Sequence, residues 1–243
     1  MELLLLSLLG LLMGIVTSIS GGAGVFAVPT MLAFGIPPIN VLALNRTSDV
    51  GVVLGAFKKY HNSKNINWKL APFIAILLGI GALLGSNFVI NIPKQFLTYI
   101  IFGGVIVGIF FLLKPIKPNT HTTEHSFNIS GGLVLLLVGF WSGAFGMAGA
   151  TFAVIVLVHF FKLSFLEARG TDIAAAIPET IISTTVLYFG STVPVTLMFA
   201  MFISSFIGAW IGSRLAVKHG DGFIKKMMIG IAVIMILKVI IDL

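Results

Sequence analysis

"GALLGSN", residues 81–87, returns as "GAWIGSR", residues 208–214, after 127 positions. At the same spacing "FLTYIIFGG" (96–104) aligns with "FIKKMMIGI" (223–231), Phe96 on Phe223 and Gly103 on Gly230. "GGAG" (21–24) returns as "GMAG" (146–149), and "RTSD" (46–49) as "RGTD" (169–172). Four matches in one order make the chain two halves, 1–115 and 127–243, joined by the polar linker 116–126.

Composition says what solvent the halves face. The 243 residues are 58% hydrophobic and 9% charged, with a mean hydropathy of +1.10. A soluble domain is about a quarter charged, so the surface of this chain meets lipid. Apolar runs of about 20 residues recur and predict membrane helices. Short alternating strands of a β-barrel are not found. The fold class expected is an all-α polytopic membrane protein with two inverted repeats of about five helical segments each, eight to ten membrane helices in total. The absence of cysteine removes disulfides and thiolate metal sites. The net charge of +7 does not signal nucleic acid, because the basic residues lie at helix ends. The start, residues 3–20, lacks the basic region of a signal peptide and is read as a retained helix.

Each half holds five apolar segments: 3–20, 24–36, 41–59, 70–90 and 96–113, then 127–145, 149–161, 168–189, 193–213 and 223–241. The second of each set is short, at about 18–20 Å of helix against a bilayer core of about 30 Å. An odd number of segments inverts the second half. Lysine tests this independently. Lys58, Lys59, Lys64 and Lys69 crowd the loop after the third segment, while the equivalent "YFGSTVP" has none. Arg214, Lys218, Lys225 and Lys226 crowd a later loop whose counterpart has only Lys94. With both crowded loops in the cytoplasm, Lys114, Lys117 and Lys162 fall inside too, only Lys94 and Lys238 fall outside, and both termini are external.

Two arginines remain within the membrane. Arg46 and Arg169 each begin an Arg-x-x-Asp, with Asp49 and Asp172 one turn on. Each follows, by about twenty residues, a Gly-rich break and a short helix: Gly21, Gly22 and Gly24 in one half, Gly146 and Gly149 in the other. A helix N-terminus offers free N–H groups and partial positive charge to an anion, glycine admits close approach, and the guanidinium fork matches an oxyanion. Intramembrane charge of this kind marks a substrate or gating site. The alternative is that each Arg–Asp pair, neighbours at i,i+3, only neutralises itself. Asn45, Thr47, Ser48, Thr151 and Thr171 either line a polar path or bond their own helix backbones. Glu179 has no acidic counterpart, its equivalent lying near Ala56. Burial disfavours the charged form of a lone carboxyl, so Glu179 either exchanges a proton during transport or stays protonated and bonds a neighbouring helix. It shares a helix face with Asp172, which places its charge in competition with an anion for Arg169. Pro29 and Pro178 kink or start helices.

His61 and His159 sit near segment ends, at the membrane interface. His121, Glu124 and His125 fall in the linker, where a solvated loop is expected rather than a metal site. No P-loop, zinc motif, dinucleotide fingerprint or paired hydrolase carboxylates occur. The chain is expected to be no enzyme, to need no cofactor and no metal, and to have no catalytic residues.

The stretch "SGGAGVFAVPTMLAFGIPPINVLALNRTSD" (20–49), entered from a helix and echoed in the second half, resembles the sulfite exporter TauE/SafE family of small bacterial and archaeal membrane transporters. The resemblance spans nearly the whole chain. Its specific parts are the Gly-rich break, the proline five residues after Gly24, "GIPP" and "NRTSD". The second half departs from them: "GMAGATFAVIVLVHFF" has no matching proline and "ARGTD" replaces the Thr-Ser-like pair. The resemblance implies a plasma-membrane exporter of sulfite, sulfonates or related small sulfur-containing anions. The residues alone reach a small anion, two arginines and a proton as possible coupling ion. An anion channel on the same scaffold is the other reading, and the oligomeric state is left open.

Overall fold

The computed structural model describes residues 2–93, 96, 97, 99, 103 and 128–241. Segment 96–113, the linker, its histidines and Lys94, Lys114 and Lys117 fall largely or wholly outside the described residues, as does the side chain of Lys238. Among the described residues the chain is all helix: α1 (Glu2–Ser20), α2 (Gly24–Ala33), α3 (Pro38–Asn62), α4 (Ala71–Ile90), α5 (Ile129–Phe145), α6 (Gly149–Phe160), α7 (Phe165–Gly190) and α8 (Val195–Ile241). The segments expected at 193–213 and 223–241 are two helices that meet at Gly220, where the backbone is non-helical (φ 71°, ψ −163°); both carry the label α8.

Local chemistry sets these boundaries. α1 ends where Gly21 and Gly22 turn to φ 74° and 80°, a region that costs a residue with a Cβ. α5 ends the same way on Gly146, φ 65°. Prolines 37 and 38 open α3, where a missing N–H costs nothing. The Asn128 side chain caps α5 by accepting from Gly131 N, and the Ser164 side chain caps α7 by accepting from Glu167 N. Pro29 and Pro178 lie inside α2 and α7 rather than at their starts.

Burial is reversed from that of a water-soluble protein. Ile76, Leu84, Leu137 and Phe199 are more than half exposed, while Arg46, Arg169, Asp172 and Glu179 are 4% exposed or less. Only a hydrocarbon solvent favours that arrangement. Four helices are long and apolar enough to span a bilayer: Leu3–Ser20, Ala71–Ile90, Phe165–Gly190 and Val195–Gly230. α2 and α6, of 10 and 12 residues, reach only about 15–18 Å at 1.5 Å per residue.

The halves interlock. α1 lies along α8, with Gly10 and Gly14 against Met201–Ala209 and Gly208 and Gly212 against Leu11–Ser18. In the equivalent contact α4 lies along α5, with Gly81 and Gly85 against Leu136–Ala144 and Gly139 and Gly143 against Leu78 and Ala82. Small residues four apart let the backbones meet, which supplies packing where no hydrophobic drive exists. The contact order along each pair fixes direction. α1 and α8 run together, as do α4 and α5. α3 joins the first pair, since Asn40 meets Thr192 and the Tyr60 hydroxyl reaches Ser18 O. α7 joins the second, since Ile182 meets Gly79 and Gly190 meets Ile90. α3 and α7 run in opposite senses, since Gly170 lies against Tyr60 while Glu179 meets Arg46.

Candidate functional site

The two glycine breaks cross at the centre of the molecule. Gly21 and Gly22 lie against Ala148–Thr151, and Gly24 lies against Gly146 O and the Asn45 amide. A Cβ on Gly24 would stand 2.6 Å from Gly146 O, so these backbones approach as only glycine permits. Asn45 Nδ2 donates to Gly146 O at 2.9 Å and ties α3 to the opposite break. Thr151 Oγ1 donates to Ser20 O at 3.0 Å and makes the reciprocal tie.

α3 and α7 cross beside the breaks and bring both arginines to one cavity. Each pairs with its own aspartate: Arg46 Nη1 donates to Asp49 at 2.8 Å, and Arg169 Nη1 donates to Asp172. Each also reaches the first helix of the opposite half. Arg46 Nη2 donates to Ser142 Oγ at 2.8 Å, and Arg169 Nη2 donates to Thr17 O. Thr17 and Ser142 hold equivalent places, four residues before Gly21 and Gly146, whose N–H groups they accept. A hydroxyl residue four before the glycine in both halves was the signal in the sequence for these two positions, which the motif reading missed.

Glu179 breaks the symmetry. The sequence placed it in competition for Arg169. Its Oε1 instead accepts from Arg46 Nη2 at 2.8 Å, across the halves. The helix face shared with Asp172 is as expected, but about two turns further along it the neighbouring side chain comes from α3. Arg46 thus carries two carboxylates and Arg169 one. With all five groups ionised the cluster bears a net charge of −1. Both Nε atoms are buried without a partner, as is Asn45 Oδ1.

The cavity between these groups is lined by Thr17, Gly22, Gly24, Arg46, Asp49, Ser142, Gly146, Gly149, Arg169, Asp172, Glu179 and Thr180, among others. Its volume is about 30 Å³, room for little more than one water molecule. Other expected site residues serve the frame. Thr47 Oγ1 bonds its own helix at Ala43 O, and Ser48 O accepts from Ser205 on α8. Thr171 Oγ1 accepts from Asn67 N, toward the end of the bundle. No group of three or more metal-ligating side chains occurs among the described residues.

Residues 6–239 match the family described as Sulfite exporter TauE/SafE. The chain belongs to the TauE/SafE family. Relatives agree in length. The chain is 26% identical to "Probable membrane transporter protein ORF9" of Sinorhizobium sp, over 94% of this chain and 88% of the relative. It is 25% identical to "Probable membrane transporter protein YfcA" of Escherichia coli (strain K12), over 96% and 87%. A "Probable membrane transporter protein" of Haemophilus influenzae is 23% identical, over 99% and 95%. No solved structure matches the chain. Membership of the TauE/SafE family, with these apolar helices, makes this a multi-pass membrane transporter whose partners are the bilayer and a small-molecule substrate.

Proposed function

We propose that the protein is a secondary transporter of a small sulfur-containing oxyanion, sulfite or a sulfonate, that works by alternating access and couples to protons through Glu179. The observation that carries this reading is the bond from Arg46 Nη2 to Glu179. Glu179 occupies the place on Arg46 that an oxyanion would take. A cluster of net charge −1 repels an anion, so binding requires a carboxylate to give way. A carboxylate displaced from its partner in a buried site costs several kcal/mol, and a proton removes that cost. Anion and proton therefore enter together: the anion takes the guanidinium and the proton takes Glu179.

The small volume between the arginines, about 30 Å³, supports a transporter over a channel. The opposite run of equivalent helices supports two inverted halves, 1–115 and 127–243, that exchange roles between the faces of the membrane. Lysines gathered at one end of the bundle support a cytoplasmic position for that end in a plasma-membrane protein. Export, rather than uptake, follows the family description. The arginines, aspartates and Gly breaks serve substrate binding rather than catalysis. The test is sulfite flux into proteoliposomes with and without a pH gradient. Uphill accumulation driven by the gradient supports the coupled transporter; flux that ignores the gradient defeats it.

A further inference from the structure

The charged cavity lies between two ends of the bundle, and each end is bridged by a polar clasp between the halves. At one end Thr192 N donates to Asn40 Oδ1 at 3.0 Å, and Asn40 Nδ2 donates to Thr192 Oγ1 at 3.2 Å. At the lysine-rich end Asn67 Nδ2 donates to Glu167 Oε1 at 3.1 Å, and Asn67 N donates to Thr171 Oγ1 at 2.9 Å. Asn40 and Glu167 are the third residues of α3 and α7. Thr192 and Asn67 lie just ahead of α8 and α4. The four are not matched positions of the repeat, but each end of the bundle carries a polar bridge between comparable elements.

The ends are closed to different depths. Beside Asn40 lies a cavity of about 500 Å³, lined mainly by apolar groups that include Leu6, Pro37, Leu44 and Leu197. Asn40 and Leu44, one turn apart on α3, both line this cavity. At the lysine-rich end Tyr60, Leu70 and Phe161 are fully buried. There the Tyr60 hydroxyl donates to Ser18 O at 2.8 Å, and Leu166 N donates to Asp221. One end is packed shut beneath its clasp. The other is hollow beneath a clasp of neutral groups, a weaker bond than one to a carboxylate.

We propose that Asn40–Thr192 and Asn67–Glu167 are the outer and inner gates of the transport path, and that this structure is poised to open at Asn40–Thr192. The proposal rests on the alternating-access reading above and names what alternates. Opening one clasp while the other holds exposes the arginines to one face at a time. Release of Asn67–Glu167 while Asn40–Thr192 holds gives the inward-open state.

The chain has no cysteine, so introduced thiols report without background. Two variants carry Asn40→Cys with Thr192→Cys, or Asn67→Cys with Glu167→Cys. Each also carries Val53→Cys, a residue of the central cavity wall. In proteoliposomes, a charged membrane-impermeant thiol reagent is added to either face and labelling is read on the peptide holding position 53. With Asn40–Thr192 cross-linked, labelling from the face opposite the lysines is expected to fall at least tenfold and to persist from the lysine-rich face. With Asn67–Glu167 cross-linked, the faces exchange. Labelling that ignores which pair is linked overturns the proposal. Asn40→Ala and Asn67→Ala, each with Val53→Cys, test it without a cross-link. Each is expected to raise labelling from its own end severalfold, and equal labelling from both ends overturns the proposal again. Sulfite flux measured in parallel separates the two readings. Side-specific labelling without flux sinks the transporter and leaves the gates; flux with labelling blind to the links sinks the gates alone.

Discussion

Arg46 and Glu179 lie 133 residues apart in opposite halves, yet Nη2 of one stands 2.8 Å from Oε1 of the other. They form a cross-half ion pair with no counterpart at Arg169, because the position equivalent to Glu179 is near Ala56. Of the three carboxylates in the cluster only Glu179 lacks a counterpart in the other half, and the expected behaviour of variants follows from that asymmetry.

Glu179→Gln keeps nearly the same shape and fixes the neutral form. Its amide oxygen still accepts from Arg46, but no proton is gained or lost. Sulfite exchange at equal pH on both sides is expected to continue, and accumulation driven by a pH gradient to vanish. Gradient-driven flux that survives in Glu179→Gln would make the residue structural.

Removing either guanidinium alone strands buried carboxylates, at about 3–5 kcal/mol. Arg169→Ala is therefore expected to lose both transport and thermal stability in detergent. Arg169→Ala with Asp172→Ala removes the pair together and should regain the stability without the transport. Recovery of transport in the double variant would show that the pair only seals two helices. Arg46→Lys and Arg169→Lys should rescue incompletely, since a point charge lacks the planar fork.

The two hydroxyl residues before the glycine breaks should behave differently, although they occupy equivalent places. Ser142 accepts through its side chain and Thr17 through its backbone. Ser142→Ala removes a bond to a charged group, worth about 1.5–3 kcal/mol, and is expected to weaken sulfite transport tenfold or more. Thr17→Val keeps the carbonyl and the shape, and transport should stay within about twofold of wild type. Equal losses in both would mean that the Arg169–Thr17 contact is not made through the backbone.

Glycines in the interlocking contacts tolerate nothing larger. A Cβ on Gly14 or Gly85 would stand 2.2 or 2.0 Å from a facing carbonyl oxygen, whereas one on Gly222 meets nothing within 4 Å. Gly14→Ala and Gly85→Ala should lower the unfolding temperature in detergent by several degrees. Gly222→Ala should leave it unchanged or raise it, since alanine is better in a helix by about 1 kcal/mol. The reverse order would disprove these helix contacts.

Much of this was legible in the sequence because it is repeated. The breaks at Gly21 and Gly146, the Arg-x-x-Asp pairs and the short helices after the breaks recur at near-constant spacing, and recurrence separates them from the apolar background. Each arginine also found its aspartate, an i,i+3 contact that helical geometry alone dictates. Glu179 was harder. Periodicity gave its helix face, but the partner on that face depends on α3 crossing α7, and no local pattern encodes a crossing. The clasp residues Asn40, Asn67, Glu167 and Thr192 escaped for a related reason: a polar residue near a helix end is ordinary until its partner is known. The segments 193–213 and 223–241 were legible as two helices because Gly220 and the charges around it separate them, and the backbone does break at Gly220.

The interlocked packing also bears on how the protein is made. α1 emerges first, and the glycine-lined helix it lies along, α8, emerges last, nearly 200 residues later. Contacts so distant in the chain form slowly, since the loop they close must be ordered before it is rewarded. During synthesis α1 stands in the bilayer with its glycine face bare to lipid, and neither half can complete its own bundle. A chain halted before α8 can still bring α4, α5 and α7 together, but it leaves the glycine faces of α1 and α3 without the helix they pack on.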